Sequence, residues 1–255
     1  MSTRPWTVDR ILAVAQATTG LAFASFSILH IGGHALAHLD IGLANAALLF
    51  SRKYYHIPAV ELTAVFGSLS LHSAVSIARW WLRKPAVKNV NMPLAVKERS
   101  WHQTLGWVLL FPVGLHAYAA RVEPFNILGA NKAAALMDLY SASMVGNIVP
   151  FMLGFYIVMT AAACVHTAYG VGYSLQTLNI KLPMLPKWSR QAWFGVLGLF
   201  GASTALAVCG YYYPITYTPD AIEMSAYLHG GQGWFQNAIS KAFGPQYVVM
   251  TPPHH

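Results

Sequence analysis

The fold of this chain is decided by an apolar stretch near its beginning, Gln16-Ala-Thr-Thr-Gly20-Leu-Ala-Phe-Ala-Ser-Phe-Ser-Ile-Leu-His30. The stretch has the composition of a membrane-spanning helix, yet it contains a histidine. Because a polar side chain is costly to place in hydrocarbon, an intramembrane histidine predicts a functional site. The pattern returns at Gln103-Thr-Leu-Gly106-Trp-Val-Leu-Leu-Phe-Pro-Val-Gly-Leu-His116, again with a glycine ten residues before the histidine.

The composition argues against a water-soluble protein. Charged residues make up 9% of the 255 residues, against about 25% in an average soluble domain. Hydrophobic residues make up 56%. The net charge of +8 does not indicate a nucleic-acid partner, because the basic residues lie between the apolar runs, where they set membrane topology. Cys164 and Cys209 fall inside apolar runs, so no disulfide is expected.

Five apolar runs are each close to the roughly 20 residues that cross a bilayer. They cover about 9–38, 58–82, 101–120, 147–175 and 189–212, and they predict an all-α integral membrane protein with five transmembrane helices. A short surface helix is predicted at 131–143. Most of the 16 Lys and Arg residues fall on the side of the N-terminus, which places that side in the cytoplasm or the mitochondrial matrix.

Two domains are expected: a transmembrane domain at 1–212 and an outer-side tail at 213–255, which lies at the membrane interface or contacts a partner. Within the first, spans one and two form a unit that is repeated in spans three and four. A unit used twice in the same orientation is a parallel repeat. The fifth span has no counterpart and no histidine.

Four histidines, one in each of the first four spans, predict two bis-histidine b haems. His30 and His116 fall late in runs that lead outward, whereas His72 and His166 lie past the midpoints of runs that lead inward. Depth therefore pairs His30 with His116, and His72 with His166. Arg79 is seven residues beyond His72 on the same helical face, where it is expected to meet a haem propionate.

Other interpretations of the histidines are possible. A single membrane histidine is more often a hydrogen-bonded core residue or a proton relay than a ligand, but four in a repeat favour haem. His34 and His38 continue the face of His30 and are a candidate transition-metal site, although they approach the interface, where a histidine needs no special role. His56 and His102 are predicted to be surface residues.

At this point the chain resembles the dihaem cytochrome b subunit of the succinate dehydrogenase and fumarate reductase family, in its single-chain, five-helix form. The matching pieces are Thr19-Gly20 with His30, His72 with Arg79, Leu115-His116 with Pro124, and Val165-His166 with Gly170. The resemblance implies that Gln16 and the region Trp101–Gln103 contact propionates of the inner haem. It also implies that quinone binds near the membrane surfaces.

The chain departs from this family at two places. Cys164 stands where the family's dihaem menaquinol enzymes keep a glutamate, so a succinate-to-quinone direction without transmembrane proton coupling is favoured. The tail after Tyr213 has no counterpart. The stretch from Gly106 to His116, with Arg121 and Pro124 after it, also resembles fungal mitochondrial membrane proteins that have the same two-unit bundle but no flavoprotein partner.

The expected function is that of the membrane anchor of a succinate:quinone oxidoreductase (complex II). The chain has no flavin motif and no cysteine set for iron–sulfur clusters, so these cofactors belong to partner subunits. A basic inner face is expected to seat the iron–sulfur partner, and quinone is expected near Gln16, Arg79 and Trp80. The basic face comprises Arg83, Lys84, Lys88, Lys97 and Arg99.

The alternative is a stand-alone mitochondrial haem protein that takes part in membrane or lipid organisation. A metal or proton transporter ranks last, because none of the eight carboxylates is predicted at mid-membrane. The mitochondrial inner membrane is favoured over a bacterial plasma membrane.

Overall fold

The computed structural model describes residues 7–82, 94–180, 187–229 and 241, and these ranges are almost wholly helical and contain no strand. The helices in chain order are α1 (Val8–Ala35), α2 (Ile41–Tyr55), α3 (Pro58–Val60), α4 (Ser68–Leu82), α5 (Leu94–Ala117), α6 (Glu123–Leu128), α7 (Ala130–Leu136), α8 (Leu139–Ile148), α9 (Pro150–Thr177), α10 (Lys187–Val208) and α11 (Pro219–His229). A 3₁₀ turn follows α1, and two π-helical segments, Glu61–Gly67 and Tyr118–Val122, lead into α4 and α6.

Five helical stretches are long and apolar enough to cross a membrane, which confirms the predicted all-α integral membrane fold. They are span 1 (Val8–His38), span 2 (Pro58–Leu82), span 3 (Glu98–Leu128), span 4 (Phe151–Thr177) and span 5 (Gln191–Val208). Large apolar side chains such as Trp81 and Phe111 are more than two-thirds exposed. Such a surface is suited to lipid, and helices satisfy their own backbone hydrogen bonds there.

The contacts divide the chain into two compact units. The first comprises Met1–Gly32, Ser51–Leu110 and Ala162–Gly198, and the second comprises Gly33–Phe50, Phe111–Ala161 and Leu199–His255. The dividing points fall inside α1, α2, α5, α9 and α10. All five spans therefore contribute residues to the first unit.

In the first unit, aromatic side chains join neighbouring spans. Trp80 of span 2 lies edge-on to Trp107 of span 3, with ring centres 5.4 Å apart. Tyr169 of span 4 meets Phe194 of span 5 at 5.7 Å, also edge-on. Edge-to-face pairs of this kind add about 0.5–1.5 kcal/mol to the stabilisation that burial alone provides.

The second unit has the better-filled core. Helix α11 packs against α8 and also contacts α6 and α7, and the side chains of Leu139, Met144 and Met224 are fully buried. An ion pair of 3.2 Å joins Lys132 to Glu223. The described part of the predicted tail is thus a helix packed on other helices, while Trp234, Phe235 and Phe243 of that tail lie outside the described residues.

The sequence did not predict all of these helices. The predicted surface helix at 131–143 is two helices, α7 and α8, because the backbone becomes extended at Met137, directly after α7, and Asp138 caps the next helix. The Asp138 carboxylate accepts a hydrogen bond of 2.9 Å from the Ser141 amide, as N-cap residues do. Helix α2 was not predicted, although Ile41, Ala44 and Leu48 form a buried stripe at helical spacing.

The π-helical segment before α4 depends on a glycine. A Cβ atom added to Gly67 would lie 2.5 Å from the Leu62 carbonyl oxygen, closer than two non-bonded atoms can approach. Because a π-helical turn holds more residues than an α-helical one, this segment sets the rotational position of the following helix. It therefore determines which way His72 faces.

Candidate functional site

The first unit brings together His72 and His166, the two histidines predicted to form the inner pair. Their ring centres are 6.4 Å apart, and their ring planes are inclined at 80°. His72 is carried by α4 in span 2, and His166 by α9 in span 4. Both rings are half-buried.

A main-chain carbonyl holds each of the two rings. His72 Nδ1 lies 3.0 Å from the Gln16 carbonyl oxygen, and His166 Nδ1 lies 3.1 Å from the His102 carbonyl oxygen. Because a carbonyl oxygen can only accept a hydrogen bond, each Nδ1 carries the proton and donates it. Each Nε2 then has a free lone pair. This is the usual arrangement of a histidine that binds a metal.

The two repeated glycines make room for these rings. A Cβ atom on Gly20 would lie 3.0 Å from both Nδ1 and Cε1 of His72, and one on Gly106 would lie 3.0 Å from Cε1 of His166. Glycine permits the helices to approach this closely, whereas a larger residue would require the ring to shift. The glycine ten residues before His30 therefore faces His72, and the glycine ten residues before His116 faces His166.

The structure also corrects the register of the repeat. Gln16 and His102 each lie four residues before a repeated glycine, and each supplies the carbonyl that accepts from a site histidine. The counterpart of Gln16 is thus His102 rather than Gln103.

The prediction that His102 is a surface residue is wrong. Its ring stacks on that of His166, with the centres 4.2 Å apart and the planes within 4° of parallel. The spacing of four residues to Gly106 was the signal that was available in the sequence.

On the side of the first repeat, the polar groups around Gln16 form a connected network. The Gln16 side-chain amide donates to Ser76 Oγ at 2.7 Å and accepts from Arg79 at 2.5 Å. Arg79 is only 8% exposed and also donates to the Asp9 carboxylate at 3.1 Å. Arg79 does lie near His72, as its spacing predicted, and the exposed Asp9 connects the network to the surface.

On the side of the second repeat, the equivalent positions are occupied differently. Ser76 and Arg79 lie four and seven residues after His72, and Gly170 and Tyr173 lie four and seven residues after His166. Tyr173 lies edge-on to His102 at 5.2 Å. A Cβ atom on Gly170 would lie 3.2 Å from His102 Nε2. Gly170 therefore makes room for His102.

The remaining residues predicted to bind cofactors lie on the surface of the first unit. Trp80 is 58% exposed and Trp101 is 60% exposed, and Gln103 is exposed as well. Arg99 of the predicted docking face is exposed. Arg83, Lys84, Lys88 and the side chain of Lys97 lie outside the described residues.

His30 and His116 belong to different units. His30 stacks on Phe26, with ring centres 5.2 Å apart, and lies edge-on to Tyr55 at 6.4 Å. Burial raises the pKa of Tyr55 above its ordinary value, so this hydroxyl remains protonated at neutral pH. In the second unit, His116 lies edge-on to Tyr156 at 6.3 Å. The pairing of His30 with His116 stays a prediction.

The alternative metal site at His34 and His38 gains no support from the geometry. His38 Nδ1 donates to the Ala35 carbonyl at 2.8 Å, and its Nε2 lies 2.9 Å from Ser203 Oγ. Both ring nitrogens are therefore engaged in hydrogen bonds. Within the described ranges, no three or more His, Cys, Asp or Glu side chains are grouped so that they would hold a metal ion.

No protein-family model matches this chain, and no curated protein or solved structure shows significant similarity to it.

Proposed function

We propose that His72 and His166 are the axial ligands of a b haem, and that the chain is the membrane anchor of a succinate:quinone oxidoreductase. The observation that carries this proposal is the pair of neighbouring imidazoles, with ring centres 6.4 Å apart, each of which donates its Nδ1–H to a main-chain carbonyl. The chain is an integral membrane protein, and the mitochondrial inner membrane is the proposed location.

The spacing of the two rings fits a metal ion between them. Bonds of about 2.0–2.1 Å from metal to nitrogen, with about 1.1 Å from nitrogen to ring centre, place two opposed imidazole centres about 6.3 Å apart. The observed separation is 6.4 Å. A haem held by two histidines supplies reversible one-electron transfer. A second haem, bound by His30 and His116, remains a prediction from the sequence.

Arg79 is the residue that we assign to an anionic or carbonyl-bearing ligand. Its guanidinium has five N–H donors, and the two hydrogen bonds to Asp9 and Gln16 use only part of that capacity. A haem propionate or a quinone carbonyl at this place would be met by a buried positive charge. Quinone is therefore proposed to bind near Gln16, Arg79 and Trp80.

The electron donor is proposed to be an iron–sulfur subunit that works with a flavoprotein. The support for this is the excess of basic residues on the N-terminal side of the spans, of which Arg99 is described and exposed. Charge complementarity of this kind guides association and fixes the orientation of a partner.

A second function has one observation in its favour. Helix α11 packs against α8 around fully buried methionines, Met144 and Met224, so this part of the chain is a built helical structure and not a simple extension. A stand-alone mitochondrial haem protein that organises membrane or lipid would use such a structure as a contact surface.

Purification in a mild detergent separates the two functions. An anchor subunit is expected to bring an iron–sulfur protein and a flavoprotein with it, and to contain two haems per chain. Charge reversal at Arg99 together with Lys84 and Lys88 is expected to release these partners but to leave the haem content unchanged. Haem without partners would favour the stand-alone function, and carefully purified protein without haem would refute both.

A further inference from the structure

His102 makes two separate contacts with His166. Its main-chain carbonyl accepts the Nδ1–H of His166 at 3.1 Å. Its ring stacks on the His166 ring at 4.2 Å, within 4° of parallel. The main-chain carbonyl of Gln16 makes the equivalent of the first contact with His72, but Gln16 has no ring that could make the second.

Comparison with Gln16 shows that the His102 ring buries a polar atom without a hydrogen-bond partner. The Gln16 amide has hydrogen-bond partners in Ser76 and Arg79. His102 Nε2 is buried and has no hydrogen-bond partner. Burying a polar atom without a partner is unfavourable, and a glutamine would avoid that loss wherever a partner such as Ser76 is present.

Gly170 shows that the site is shaped around this ring. It stands where the first repeat has Ser76, and a Cβ atom there would lie 3.2 Å from His102 Nε2. Gly170 thus provides no hydrogen-bond partner but leaves the space that the ring needs. The site accommodates the His102 ring although Nε2 has no hydrogen-bond partner. The stacking of this ring on His166 is therefore the contact that favours a histidine here.

We propose that His102 is a positioning residue, which fixes the plane of the His166 imidazole by stacking and thereby makes the two axial ligands of the inner haem inequivalent. This inference rests on the proposed function. The orientation and surroundings of axial histidines tune a haem, since outer contacts fix the ring and its basicity. The His72 side has a polar network in the equivalent place and no stacked ring.

Three variants test this inference: His102→Phe, His102→Gln, and His102→Gln combined with Gly170→Ser. The carbonyl that accepts from His166 belongs to the main chain, so all three retain that hydrogen bond. The phenylalanine keeps a stacked ring and removes the unsatisfied nitrogen. The double variant reproduces the pair found in the first repeat, Gln16 with Ser76, and guards against simple misfolding of the single glutamine variant.

The readouts are the low-spin EPR signal and the midpoint potential of the inner haem, together with the melting temperature. His102→Phe is expected to keep the EPR signal and the potential, and to melt at the same temperature as the natural chain or higher. Both glutamine variants are expected to bind haem in the natural ratio but to shift the EPR signal and the potential.

Unchanged spectra in the glutamine variants, or an equal shift in His102→Phe, would overturn the positioning role. A strong loss of melting temperature in His102→Phe would show that a stacked ring alone does not satisfy the site, and would also overturn it. The melting temperature needs no bound haem. Absence of haem from the natural chain would therefore count against the proposed function, while the stability of His102→Phe would still decide whether the ring alone is what the site requires.

Discussion

Replacing Gly20 with alanine tests the inner histidine site at its tightest point. The new Cβ would lie 3.0 Å from Nδ1 and from Cε1 of His72, whereas non-bonded carbon atoms prefer about 3.5–4.0 Å. The ring must therefore move by roughly 0.5–1 Å. Such a movement strains the 3.0 Å hydrogen bond to the Gln16 carbonyl and changes the direction of Nε2.

The effect on stability combines two opposing contributions. Overpacking of a filled site costs about 1–3 kcal/mol, and the better helix propensity of alanine offsets about 1 kcal/mol of that. We therefore expect a net loss of about 0–2 kcal/mol, with a clear loss of the inner haem. Gly172→Ala is the matched control, because no atom lies within 4 Å of its added Cβ and only the gain in propensity remains.

The assay is haem quantitation against protein, with the melting temperature measured beside it. Gly20→Ala and Gly106→Ala are each expected to lower the haem ratio from about two to about one, and Gly172→Ala to leave it at the natural value. If Gly20→Ala binds haem as well as Gly172→Ala does, the contact between the glycine and His72 does not hold the ring in place.

Three further substitutions test other contacts in the structure. His72→Ala is expected to remove one haem and retain the other, which a haem-to-protein ratio checks; loss of both would mean that the bundle has collapsed. Arg79→Lys cannot keep both hydrogen bonds of the guanidinium, so quinone reduction is expected to fall about tenfold, the equivalent of about 1.4 kcal/mol, at unchanged haem content. Asp9→Asn changes a side chain that is 67% exposed and is expected to have little effect on quinone reduction. Equal effects of the two substitutions would refute a special role for Arg79. Asp138→Ala removes the cap of α8 and is expected to cost about 1 kcal/mol, seen as a lower melting temperature with normal haem content; an unchanged melting temperature would show that the cap adds nothing.

The internal repeat explains why each repeat unit contains one histidine of each predicted pair. Each repeat unit consists of a first helix with a glycine and a histidine, and a second helix with another histidine. The glycine of the first helix contacts the histidine of the second helix within the same unit, as in Gly20 with His72.

The two units differ around this common frame. The first contains a hydrogen-bonded network that ends in a buried arginine, Arg79, and an exposed carboxylate, Asp9. The second contains a stacked pair of rings, His102 on His166. The inner site is therefore symmetric in its main-chain hydrogen bonds and asymmetric in its side chains.

The sequence by itself determined the five spans and the all-α membrane fold, because hydrophobicity over about 20 residues is a local property that needs no tertiary contact. It also identified His72 and His166 as candidates, since a histidine inside an apolar run is conspicuous wherever the run packs. It missed α2, whose apolar stripe is too short for a span and ends in the charged residues Arg52 and Lys53.

Only the tertiary structure decided which residues surround the inner pair. His102 lies at the start of an apolar run, where a histidine is normally exposed to water. Its contact with His166 arises because Gly106 lets the two helices approach closely. The neighbours Trp101 and Gln103 differ from it by one position along the chain but by about 100° around the helix. Sequence proximity indicated the correct turn of the helix, and packing selected the face.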